Sequence, residues 1–225
     1  MNGSYGRAAT GLTNDASFAA NAGAAKAGAD GEVKTAAILD GFSLKAAILH
    51  DLRVPIPGFK ANIDHVVVSG KRVLIIDTKV WKPGFYWSLF GANRRGTERI
   101  AHTEKDLGYI QQSLITHLRG TGAIVSTPHL AIWSSRKTSD PSIWLLRVPN
   151  AKLLRGEALL GFVKGFIGKQ AADPIITRKL MELCVKKSKP AAAASFGPRE
   201  LADDADPFAT PAPRFTRPAG GPNPF

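Results

Sequence analysis

Residues 60–81 read KANIDHVVVSGKRVLIIDTKVW, and this stretch decides the fold. Two runs rich in β-branched residues, 60–69 and 72–80, are joined by a short turn at Ser69-Gly70-Lys71. Such runs joined by a short glycine-containing turn predict an antiparallel hairpin. Side chains alternate along a strand, so Asp64, Val66 and Val68 share one face while Ile63, His65 and Val67 share the other. By the same rule Val73, Ile75, Asp77 and Lys79 lie together. The second strand therefore leaves its apolar run on an acid and a base that project from one side. D-x-K at a strand end is common, and by itself it is only a strand running out to solvent.

Upstream, DGEVKTAAILDGF (30–42) predicts a helix, with Asp30 as N-cap and Gly41 as its stop. Glu32 shares a face of that helix with Ala36 and Leu39. AAILHDLRV (46–54) predicts a strand ending at the turn-rich PIPG. Downstream, residues 81–102 are aromatic, basic and without a clean period, and they read as a long irregular excursion. A helix then starts at Thr103, with Asp106 completing a capping box and Leu107, Ile110, Leu114 and Leu118 forming its apolar stripe. Gln111 falls in the middle of that stripe, where an amide needs a hydrogen-bond partner, and Gln112 is turned away by about 100°. Strands follow within 123–135 and 142–150, and a helix over about 173–188 closes the domain. The order is αβββαβ plus a final helix, an α/β (α+β) domain with a mixed central sheet flanked by helices.

The 225 residues divide by composition into three parts. Residues 1–27 are small and polar and read as a flexible segment; 28–189 form the folded domain; 190–225 are a Pro/Ala-rich tail expected to be disordered. The formal charge of +12 is also uneven: the tail holds three Arg and four acids, a net of −1, leaving +13 on residues 1–189. A basic globular domain points to a polyanion, nucleic acid first. Cys184 is the only cysteine, so no disulfide framework exists and a reducing, cytoplasmic setting is expected. No Cys/His spacing proposes a zinc site. The most apolar stretch, ALLGFVKGFIG (158–168), carries Lys164 and is too short to span a bilayer, so no membrane partner is expected.

Glu32, Asp64, Asp77 and Lys79 acquire meaning together. Converging carboxylates repel one another unless a hard divalent cation neutralises them, and oxygen ligands of this kind suit Mg²⁺ or Mn²⁺. A lysine beside such a centre stabilises charge on a transferring phosphoryl group. Lys82, Arg94, Arg95 and Arg99, interleaved with aromatics, are placed to meet phosphates. The tryptophans 81, 87, 133 and 144 read as core or rim aromatics, and His65 beside Asp64 as a packed or surface histidine.

Over about residues 28–90 the chain resembles the nuclease-related domain (NERD) family, a branch of the PD-(D/E)xK nuclease superfamily. The resemblance rests on Gly31-Glu32 in the first helix, the HDL strand, NIDHVVVS with Asp64, and the apolar strand ending Asp77-Thr78-Lys79 before Trp81. It implies a restriction-endonuclease-like core and a divalent metal held by Asp64 and Asp77. Glu32 would complete the metal shell, Lys79 would be the catalytic lysine, and one of Gln111 and Gln112, with facing favouring Gln111, would be the second-helix glutamine. The family more often carries Glu where Asp77 stands. The expected function is a Mg²⁺-dependent nuclease acting on DNA phosphodiesters. The alternative is a non-cleaving DNA-binding module on the same fold, serving maintenance or transfer of bacterial plasmid or phage DNA. A further possibility is a protein partner recruited through the Pro-rich tail.

Overall fold

A computed structural model describes residues 1–9, 22–59, 61–100, 103 and 106–185. The expected hairpin is its centre: strand β3 (Asn62–Ser69) pairs antiparallel with β4 (Arg72–Trp81), with Ser69 opposite Arg72 and Gly70 turning at φ +57. Strand β2 (Ala47–Arg53) pairs antiparallel with β3 on the other side, and β1 (Gly3–Gly6) lies parallel to β2. Beyond β4 the sheet continues in parallel through β9 (His129–Ser134) and β11 (Lys152–Arg155), with the short β8 (Ile124–Val125) pairing the start of β4. The result is a seven-stranded mixed sheet in the order β1-β2-β3-β4-β9-β11.

Helices cover both faces, as the alternation requires. Helices α1 (Ala22–Asp40) and α3 (Leu159–Phe166) bury Leu39, Leu159 and Val163 against Ile48, Val67, Leu74 and Ile76. On the opposite face, α2 (Gly108–His117) and α4 (Pro174–Met181) contribute Ile110, Leu114, Ile176 and Leu180 against Leu49, Val66, Val68, Val73 and Ile75. Asp173 caps α4, accepting from the backbone of Ile175 and Ile176, with Pro174 at the first helical position. The mixed α+β architecture expected from the element order, with four helices among the described residues, is what the chain adopts.

Four local readings change. Residues 3–6, expected to be loose, form β1, which covers the edge of β2. Helix α1 begins at Ala22 and runs through Asp30, because the Ala-rich segment before it is itself a good helix former. Helix α2 begins at Gly108; Thr103 bonds Ile100 O, and Asp106 accepts from Gly108 N at 2.6 Å and from Asn150 Nδ2. The segment read as irregular over 81–102 holds, within 84–99, the strands β5 (Gly84–Leu89), β6 (Ala92–Arg95) and β7 (Glu98–Arg99), which join β10 (Pro141–Leu145) in a second sheet, order β10-β5-β6-β7. That sheet closes over Trp81, Tyr86, Leu130, Ile132 and Leu146. The Pro/Ala-rich tail and most of the segment between β1 and α1 lie outside the described residues.

Candidate active site

The site forms where β3 and β4 part. Their ladder ends at His65–Ile76; beyond it β4 keeps pairing with β9 as far as Trp81–Ser134. At the fork the Asp64 carboxylate takes over the role of a backbone acceptor, receiving Thr78 N–H at 2.6 Å. Continuing the β3–β4 register by one position sets Asp64 opposite Asp77. The β2–β3 register, His50–His65 then Leu52–Ile63, sets Asp51 opposite Asp64. Three acids on three neighbouring strands thus stand in one row.

Asp77 Oδ2, a buried oxygen, lies 2.5 Å from Lys79 Nζ, the closest opposite charge. Lys79 keeps 44% of its side chain exposed whereas Asp77 keeps 12%, so the ammonium forms the solvent side of the pair. Glu32 reaches the cluster from α1, which crosses β4 at Gly31. A Cβ at Gly31 would stand 2.4 Å from Val80 Cγ2, so only glycine permits this approach. One turn on, Thr35 Oγ1 accepts from Thr78 Oγ1 at 3.0 Å and from Trp133 Nε1 at 2.9 Å, fixing the crossing. Glu32 Oε2 in turn accepts Ala9 N–H at 2.9 Å, so the chain just past β1 touches the site.

Crowding and burial raise the pKa of two of these carboxylates. Burial pushes Glu32 up to about 7; the Ala9 N–H and Lys79 pull it down, and Asp51 and Asp77 push it up. Asp64 is raised well above the usual carboxylate range by burial and by Asp77, against the opposing pull of Lys79. For Lys79 burial disfavours the charge, but Asp77, Asp64 and Glu32 outweigh it, and its pKa is raised. Lys79 is therefore a permanent cation, unable to act as a base near neutral pH.

Two residues that sequence reasoning passed over belong here. Asp51 is buried at φ 53, left-handed backbone that Asp tolerates better than most side chains, and accepts from Asn62 Nδ2 at 2.7 Å. The register of the HDL strand against NIDHVVVS was the signal that could have found it. Tyr109, at the start of α2, has its hydroxyl pKa raised by burial and by Asp77, with Lys79 opposing. Gln111 is placed differently from expectation: its Nε2 donates to Val125 O at 3.1 Å, so the stripe-centre amide answers to β8 and not to a carboxylate, while Gln112 is exposed. His65 is fully buried and meets His50 Nδ1 to Nδ1 at 2.8 Å. The Cys184 thiol, pushed up to about 11 by burial and Asp51, stays protonated.

The basic residues separate. Arg95 is taken by Glu98 and Tyr86, whereas Arg94 and Arg99 face each other in the β6–β7 register and Lys82 is exposed just after β4.

Residues 27–124 match the family model of the nuclease-related domain, NERD. The NERD match bears out the resemblance read from Gly31-Glu32, NIDHVVVS and Asp77-Thr78-Lys79, and spans every carboxylate of the row, Glu32, Lys79, Tyr109 and the first three strands of the small sheet. No curated protein and no solved structure matches the chain. Among the described residues, no helix is long and apolar enough to cross a membrane, and no three His, Cys, Asp or Glu side chains converge into a closed metal cage. Two carboxylates with waters suffice for Mg²⁺, which binds through one or two protein carboxylates and keeps much of its hydration. The donor set is all oxygen, and Asp64 and Asp77 face each other at the fork, so the residues fit a hard cation.

Proposed function

We propose that this domain is a divalent-metal-dependent nuclease that hydrolyses DNA phosphodiester bonds with Mg²⁺ or Mn²⁺. The observation that carries the reading is the fork of β3 and β4, where Asp64 and Asp77 stand opposite each other and share one lysine. Asp64 and Asp77 would hold the cation, with Glu32 joining them directly or through water. When bound, the cation would polarise the phosphoryl group and make a coordinated water a stronger nucleophile.

The chain's own residues supply the rest. Lys79, held protonated by three acids and half open to solvent, places a fixed positive charge where negative charge grows on the phosphoryl oxygens. Glu32, titrating at about 7, can take or return a proton near neutral pH, and the Ala9 N–H orients its carboxylate. Asn62 Nδ2 donates to Asp51 and Thr78 N–H to Asp64, helping to hold both carboxylates in place. The basic balance of the chain, +12 overall, favours a polyanionic substrate.

Plasmid and linear DNA incubated with purified protein and Mg²⁺ or Mn²⁺ test the reading. Cleavage is expected with metal and not with EDTA, and Asp77→Ala and Lys79→Ala should each remove it. Failure of every metal to support cleavage, or wild-type rates in either variant, would sink it.

A further inference from the structure

We infer that the outer face of the small sheet is a platform on which a single-stranded nucleic acid lies by base stacking. Tyr86 of β5 turns inward and stacks on Trp81 at 5.0 Å between ring centroids and 19° between planes. By alternation its neighbours Phe85 and Trp87 turn to the other face. Trp144 of β10 joins them there, its ring centroid 6.3 Å from that of Phe85. Trp144 is 74% exposed and Phe85 43%, large apolar rings left in water with no core to fill.

Cations accompany the rings. Trp87 pairs in register with Arg94, and Arg94 with Arg99, so an arginine row flanks the aromatic row. Trp87 Nε1 donates to Gly96 O at 2.9 Å and Arg94 Nη1 to Thr97 O at 2.9 Å, holding both side chains in place. The one carboxylate of these four strands, Glu98, pairs with Arg95, which faces Tyr86. Rings for bases and guanidinium groups for phosphates, without acids between them, match a polyanion that carries π faces. At the hairpin tip Phe90 is 99% exposed at φ 48, followed by Gly91 at φ 78. A glycine or asparagine is the usual first residue of such a turn; here a bulky ring is held out in water against backbone preference. Duplex DNA keeps its base faces stacked inside, so this surface discriminates against it.

As an account of substrate the proposal rests on the nuclease reading; as an account of binding it stands alone. Fluorescence anisotropy of the full chain in EDTA with labelled oligo(dT), oligo(rU) and a short duplex separates the two. We expect oligo(dT) or oligo(rU) to bind more tightly than duplex. Trp144→Ala and Phe85→Ala should each weaken single-strand binding by about 5- to 150-fold, the range that loss of one base-stacking contact brings. Arg94→Ala should lower the slope of log affinity against log salt by about 1. Phe90→Gly, which relieves the positive φ, should weaken binding while leaving the thermal midpoint unchanged or higher. The proposal is overturned if neither oligonucleotide binds, if the ring variants bind as wild type does, or if duplex affinity falls equally. A wild-type dimer that Trp144→Ala converts to monomer would also overturn it, since the face would then hold a second copy. Binding without cleavage in Mg²⁺ or Mn²⁺ would fail the nuclease reading and leave this one intact.

Discussion

His50-Asp51 on β2 and Asp64-His65 on β3 are the same pair of residue types, read in opposite directions and set face to face. The histidines meet each other, and the acids meet each other, yet the two meetings have opposite characters. On the histidine side, Asp40 Oδ1 accepts from His50 Nε2 at 3.0 Å and from Ser4 Oγ at 2.6 Å, and His50 Nδ1 faces His65 Nδ1. With the His50 proton on Nε2, its Nδ1 accepts from His65, which leaves His65 Nε2 as a buried lone pair and not a buried N–H. That stack carries no buried charge on His65, although its Nε2 lone pair has no partner. On the acid side Asp64, Asp77 and Glu32 crowd around one Lys79, which pairs with Asp77, and the pKa values of Asp64 and Glu32 are raised. The difference teaches where the proposed function sits: the neutral histidine pair builds the fold, and the crowded acids would be the ones to take up a cation.

The comparison breaks most visibly through activity. Asp64→Asn and Asp77→Asn should lower cleavage about 10²- to 10⁴-fold at saturating Mg²⁺, whereas Asp40→Asn, on the histidine side, should leave the rate within about threefold. Plasmid nicking assays measure both, and a comparable loss in Asp40→Asn would erase the distinction.

Stability sharpens it next. Glu32 has a folded pKa of about 7 above its ordinary 4.5, so the folded state holds the extra proton and stability falls as pH rises between those values. His65 lies well below its ordinary 6.5, because burial and then His50 disfavour its charge. The unfolded state takes that proton, so stability falls as pH drops below 6.5, by about 1.4 kcal/mol per unit for one group. The two slopes oppose each other between 4.5 and 6.5. Glu32→Gln in EDTA should therefore add about 1–3 kcal/mol at pH 8, add little at pH 4.5 and steepen the acid loss between. Urea unfolding across that range measures it; an unchanged pH profile would refute the electrostatic account.

Gly31→Ala tests the approach of α1 to β4. The new Cβ would meet Val80 Cγ2 at 2.4 Å, at an overpacking cost of about 1–3 kcal/mol against a helix-propensity gain of about 1. Net destabilisation with a reduced cleavage rate is expected, since Glu32 moves with the helix. Smallest is Gln111→Ala, which breaks the bond to Val125 O and should cost about 1 kcal/mol in denaturant unfolding with only a few-fold change in rate.

Much of this was legible in the sequence, for reasons that differ by region. The β3–β4 hairpin announced itself because both strands are apolar by local pattern and joined by the two residues Gly70-Lys71, and alternation then put Asp77 and Lys79 on one face. The small sheet did not, because β5 takes its parallel partner β10 from more than fifty residues away and turns on Phe90-Gly91, a turn with no sequence signature. Asp51 was hidden by reading strand 46–54 alone; only its register against β3 shows what it faces. Helix α3 was read as an apolar run, because its eight residues carry too few turns for periodicity to speak. Gln111 stands out in the sequence as a polar group on an apolar face, but which acceptor meets it depends on where β8 crosses, a tertiary fact.

Strand β4 does more than carry Asp77 and Lys79. Two residues past Lys79, Trp81 is clamped on Tyr86, so about 7 Å of strand backbone separates the position of the site lysine from the anchor of the small sheet. The consequence is metrical. A strand gripped by that sheet would reach the fork of β3 and β4 at a single spacing, and the chain would act as a ruler, leaving ends of uniform length.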